Sequence, residues 1–90
     1  MNIKQALSMN LKYYRKQFNL SQEKFAFVLG TTLPYLNKIE NCKVDFKSST
    51  LEKFTNNINK YNKDINIKPY ELIIDNPNHK TNFTRIDEKK

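Results

Sequence analysis

The stretch Leu20-Ser21-Gln22-Glu23-Lys24-Phe25-Ala26-Phe27-Val28-Leu29-Gly30-Thr31-Thr32-Leu33-Pro34-Tyr35-Leu36-Asn37-Lys38-Ile39-Glu40 decides the fold. Ser21 offers a hydroxyl to the unpaired N–H groups of a helix start, and Glu23 in the first turn complements the helix dipole. Phe25, Ala26, Val28 and Leu29 are the buried residues expected of that helix, and the small Ala26 lets another helix approach closely. Gly30, the only glycine of the chain, follows the apolar helix end, where a left-handed residue closes the cap. Thr32 can then cap a second helix, and Pro34 falls in its first turn, where a missing N–H costs nothing. Leu36 and Ile39 give the second helix an inward side. Leu33, Pro34, Tyr35, Asn37 and Lys38 are left on its outer or N-terminal side.

Working outward, Ile3, Leu7, Leu11, Tyr14 and Phe18 recur at three- and four-residue steps and predict a preceding helix with one apolar stripe. Asn19, which tolerates the left-handed conformation, ends it. Downstream, residues 41–47 have no helical period and read as a loop. Ser49 and Glu52 have the spacing of a capping box and open a helix with Leu51, Phe54 and Ile58 inward, ending near Lys60. Residues 61–68 are polar and read as a loop. Pro69 can start a fifth short helix through Ile74, with Tyr70 and Ile73 on its apolar face. The expectation is an all-α, compact five-helix bundle over residues 1–74, followed by a tail over 75–90 whose Phe83 and Ile86 could dock on a partner chain.

Ninety residues suffice for one core and not two. Sixteen Lys and Arg against nine Asp and Glu give a net charge of +7, which attracts polyanions over a long, salt-sensitive range. The lone Cys42 has no disulfide partner and fits a reducing cytosol, so a cytoplasmic protein is expected. The lone His79 lies among Asn and Lys with no nucleophile or metal-ligand cluster beside it. No glycine-rich phosphate loop and no positioned base are present, so neither an enzyme nor a cofactor is expected. No apolar run approaches the roughly 18–20 residues of a membrane span, and the first residues lack the continuous apolar segment of a signal peptide, so a soluble, unexported protein is expected.

Leu-Ser-Gln at 20–22, Ala four residues after Gln22, Leu29-Gly30 at the turn, the capping Thr32 and the closing Ile39-Glu40 closely resemble the signature of the phage repressor and Cro-like, or XRE, helix-turn-helix family. The resemblance implies a lambda-repressor-like fold whose motif, residues 21–41, binds double-stranded DNA. A helix about 10–12 Å across fits the roughly 12 Å major groove if another helix braces it. Tyr35, Asn37 and Lys38 are the main candidates for reading bases. Asn pairs with adenine, Lys donates to guanine or phosphate, and Tyr packs on a thymine methyl or bonds to phosphate. Leu33 can touch a thymine methyl, and Thr32 a phosphate. The resemblance gives Gln22 a phosphate contact that supports the base contacts. It also places Lys43, Lys47, Ser48 and Ser49 on the DNA backbone, and makes Arg15 and Glu40 an inter-helix ion pair.

The sequence departs from the pattern in three places. Cys42 stands where glycine is usual, so Asn41 or Cys42 must take the turn conformation. Leu33-Pro34 replaces a common polar pair. Phe27 is more apolar than an exposed residue of that helix usually is, and is open to three readings: core, subunit contact or exposed aromatic. The expected function is sequence-specific DNA binding that regulates transcription, as a repressor and homodimer on a palindromic operator. The alternative is an antitoxin or protein-partner module using helix 5 and the tail.

Overall fold

The computed structural model describes residues 2–77 and His79. Helix α1 spans Ile3–Gln17 and starts with a reciprocal cap. Asn2 Oδ1 accepts from Gln5 N at 2.8 Å, while Gln5 Oε1 accepts from Asn2 N at 3.0 Å. Leu7, Leu11 and Tyr14 face the core, and Ile3 is exposed. Asn19 takes a positive φ of 56°, which reverses the chain into α2, Gln22–Leu29. Ser21 Oγ accepts from Lys24 N at 3.2 Å, and Gly30 closes α2 at φ 78°. Helix α3, Leu33–Glu40, begins under Thr32, whose Oγ1 accepts from Tyr35 N at 3.3 Å.

Helix α4, Ser48–Tyr61, departs from the expected capping box. Lys47 holds the cap position without a side-chain hydrogen bond. Its carbonyl accepts from Thr50 N and Leu51 N, at 3.0 and 3.2 Å, so the helix is already under way at Ser49. Val44 and Phe46 pack partly against the core and bring the chain into helix earlier than the Ser49/Glu52 spacing suggests.

The fifth helix is also corrected. The described residues contain four α-helices and, at Pro69–Leu72, a single 3₁₀ turn. Leu72 is wholly buried there, Tyr70 is 60% exposed and Ile73 is only partly covered. The reason lies on α1. Asn10, fully buried, directs Nδ2 at the carbonyls of Glu71, Leu72 and Ile74 at 3.2, 2.9 and 3.0 Å. Those carbonyls turn toward one amide on α1 in place of the N–H groups a continuing helix would offer them.

Phe25, Leu29, Leu36, Phe54 and Ile58 complete the core between the helices. Val28, expected inside, is half-buried, and Phe27 is 85% exposed, which excludes the core reading among its three. Helix α4 also caps α2. Asn57 Nδ2 donates to the Leu29 carbonyl at 2.8 Å and Lys53 Nζ to that of Gly30 at 3.0 Å, satisfying groups a helix end leaves open.

The chain past Ile74 returns to α1. His79 is buried and stacks on Tyr13 at 3.7 Å between ring centroids, with 8° between planes. Its Nδ1 lies 2.6 Å from Asn10 Oδ1, and its Nε2 lies 3.3 Å from Asn76 Nδ2. The expected tail over 75–90 therefore opens with residues held against α1, while Phe83 and Ile86 lie outside the described residues. No helix among the described residues is long and apolar enough to cross a membrane.

Candidate nucleic-acid interface

Helix α3 is amphipathic in the way its sequence requires. Leu36, Ile39 and Glu40 are buried, while Leu33, Pro34, Asn37 and Lys38 are exposed along the other side. Leu33, at 40% exposure, and Pro34 form an apolar N-terminal tip.

Glu40 is the anchor of that helix and is only 3% exposed. Arg15 Nε donates to its Oε2 at 3.0 Å and Nη2 to its Oε1 at 3.2 Å, tying α1 to α3. Gln22 Nε2 donates to the same Oε1 at 2.8 Å, tying α2 to α3. Ser8 Oγ donates to the Glu40 carbonyl at 2.6 Å. A buried carboxylate is tolerable only with such company, because its desolvation must be offset by charge-assisted hydrogen bonds. The result is a helix α3 fixed in position by two neighbours.

From the anchor, polar contacts run outward. Asn37 Nδ2 donates to Gln22 Oε1 at 3.4 Å, and Asn41 Nδ2 donates to Asn37 O at 2.9 Å and to Asn37 Oδ1 at 3.2 Å. The structure thus brings Gln22, Asn37 and Asn41 together on one exposed face. Asn41 was not among the sequence candidates, although its i, i+4 spacing from Asn37 on a helix was a usable signal.

Tyr35 lies apart from that group. It is half-buried, and its hydroxyl donates to the Asp45 carbonyl at 3.4 Å. Asp45 in turn pairs with Lys4 at 2.9 Å, both on the surface. Tyr35 therefore leans on the 41–47 loop, beside Phe46, Lys47 and Thr50. Cys42, not Asn41, takes the left-handed turn position, at φ 60°. Lys43, Lys47, Ser48 and Ser49 are all exposed on this loop and at the start of α4. Thr32 is exposed while its hydroxyl serves as the α3 cap.

No group of three or more metal-ligating side chains occurs among the described residues. What the face offers is amide donors and acceptors, a lysine and an apolar tip on a braced helix, with cations along one flank. That is the equipment for hydrogen bonding to base edges and phosphates.

The fold is similar to the crystal structure of the hypothetical transcription factor NHTF from Neisseria, with a TM-score of 0.71 and 19% sequence identity over 89% of this chain and 84% of that one. At that identity the likeness is one of fold. No curated protein matches the chain. The helix-turn-helix family matches residues 11–61, more than half of the sequence, from the middle of α1 to the end of α4. The chain belongs to the XRE-type helix-turn-helix family of DNA-binding transcription regulators.

Proposed function

We propose that the chain binds a specific duplex DNA site by laying α3 in the major groove, and that it represses transcription as a homodimer on a palindromic operator. The observation that carries the reading is the clamp on Glu40, which fixes α3 against α1 and α2 while leaving Asn37 and Lys38 exposed. Asn37 and Lys38 read base edges, and Leu33 contacts thymine methyls. Tyr35 contributes its ring, since its hydroxyl is engaged with the loop. Gln22, Thr32, Lys43, Lys47, Ser48 and Ser49 hold the sugar-phosphate backbone and set the register. Gln22 sits at the N-terminus of α2, where the helix dipole favours a phosphate.

Dimerisation follows from the small size of the reading face. One short helix makes too few base contacts for a stable specific complex, and a two-fold pair placed about one helical turn apart doubles them. Repression needs nothing further, because a protein seated over a promoter excludes other proteins from the same groove.

Selection of bound duplexes from random DNA, followed by footprinting with the full chain, tests this. Two inverted half-sites about 10 base pairs apart, centre to centre, are expected. Affinity should fall with salt by a slope of about 0.9 per phosphate contact. Protection that ignores sequence would remove the claim of a specific regulator.

A further inference from the structure

Asn37 lies between two groups whose sense is fixed. On one side Glu40, a carboxylate, accepts only, so Gln22 must turn Nε2 toward it and Oε1 toward Asn37. On the other side Asn41 Nδ2 donates to the Asn37 main-chain carbonyl, which also accepts only, and this leaves a second N–H of Asn41 for Asn37 Oδ1. Asn37 therefore meets an acceptor at Gln22 and a donor at Asn41. Of the two ways round for its amide, one satisfies both neighbours. The other sets oxygen against oxygen and N–H against N–H.

We infer that Asn41 is a specificity-positioning residue: with Gln22 it fixes which way the Asn37 amide points along α3, and thereby selects A·T over T·A at the base pair Asn37 reads. The inference rests on the reading of Asn37 as a base reader. Adenine presents N7, an acceptor, beside its N6 amino group, a donor. Asn37 has one N–H and one oxygen lone pair left over after its two internal contacts. With the amide held as observed, adenine N7 must lie on the Gln22 side and the N6 amino group on the Asn41 side. The reversed pair carries its adenine edge in the opposite order and needs the disfavoured amide orientation. Guanine offers two acceptors, N7 and O6, and is refused in either orientation.

Asn37 and Asn41 are both exposed, so the geometry is open to a duplex. Asn41 is the C-cap of α3 with φ −100°, a conformation that alanine adopts, so Asn41→Ala keeps the fold. The test uses the full chain on its selected site and on sites with each A·T pair reversed. Wild type should show one position at which reversal weakens binding by about 5- to 150-fold, the range of a good bidentate pair. Asn37→Ala should abolish that preference. Asn41→Ala should cut the ratio several-fold, Gln22 alone still holding the amide, while leaving thermal unfolding and affinity for random DNA near wild type.

If Asn37→Ala abolishes the preference and Asn41→Ala leaves it intact, Asn37 reads the base but Asn41 does not orient it, and the inference is overturned. Equal weakening of every site by Asn41→Ala makes Asn41 a backbone contact, which also overturns it. A wild-type profile that Asn37→Ala does not change removes the base-reading role itself.

Discussion

His79 shows how one side chain can couple the C-terminal segment to acidity. Asn10 turns its Nδ2 to three carbonyls, so its Oδ1 must face the imidazole, and Nδ1 must carry the hydrogen. Nε2 is then bare and accepts from Asn76. Burial pushes the His79 pKa below the usual 6.5, against the opposing pull of the Glu71 carboxylate. The neighbouring Tyr14 phenol is pushed up to about 12, first by burial and then by Glu71 and Tyr13, and so stays neutral throughout. In acid the unfolded chain therefore takes up a proton before the folded one does. The stability His79 contributes is intact above pH 6.5 and is lost as pH falls from there through the folded-state value. Since His79 is the only histidine, an NMR titration of its ring reads this directly. Titration at or above 6.5 would contradict the buried neutral imidazole, and in His79→Asn the loss of thermal stability between pH 7 and 5 should shrink. None of this was legible in the sequence, where His79 stood among polar neighbours: its partner Asn10 lies 69 residues away.

At the scale of elements, what the sequence showed and what it hid divide by distance along the chain. Ser21, Gly30, Thr32 and Pro34 act within four residues of themselves, and each does in the structure what its chemistry required. The Ser49/Glu52 spacing carried the same kind of local signal. It lost to the packing of Val44 and Phe46, which fixes where the chain enters α4. The Pro69 turn shows the same competition, since Asn10 draws its carbonyls away from a helical path. Arg15, Gln22 and Glu40 were reachable only through the resemblance to a family, as the spacing 15, 22, 40 has no period that announces a contact. The turn itself can be tested at Gly30. Its φ is +78°, and an added Cβ would stand 3.2 Å from Asn57 Nδ2, the group that caps Leu29. Gly30→Ala should therefore cost about 1–3 kcal/mol through left-handed strain and a disturbed cap. Chemical denaturation should show a lower midpoint at unchanged slope. An unchanged midpoint would mean that the turn relaxes freely.

At the scale of the molecule, the segment that matches the helix-turn-helix family is smaller than the unit that folds. Residues 11–61 contain the motif and its brace, yet Leu72 is wholly buried in the same core and Asn10 finds its acceptors at residues 71, 72 and 74. A chain ending at Asn62 would lose a packed leucine, worth about 2–5 kcal/mol, and would open to water the Asn10 amide that residues 71–74 and His79 now cover. Against a typical domain stability of about 5–15 kcal/mol, that loss should lower the melting temperature of the shortened chain well below that of the full chain. Circular dichroism on heating gives the answer, and a melting curve that matches the full chain would refute it. The same reasoning explains why helix count alone misjudged the architecture: the turn at Pro69–Leu72 is small, but it seals the floor under α1.

Asn10 also sets a clock. Its amide leaves the ribosome early, but the carbonyl it is built to hold at Leu72 is 62 residues behind it. At the usual 5–20 residues per second of synthesis, the interval is about 3–12 s. Throughout that time the Asn10 amide is left to water. Asn10 can take up its acceptors only after residues 71–74 have been made, well after Glu40, the residue through which Arg15 braces α3.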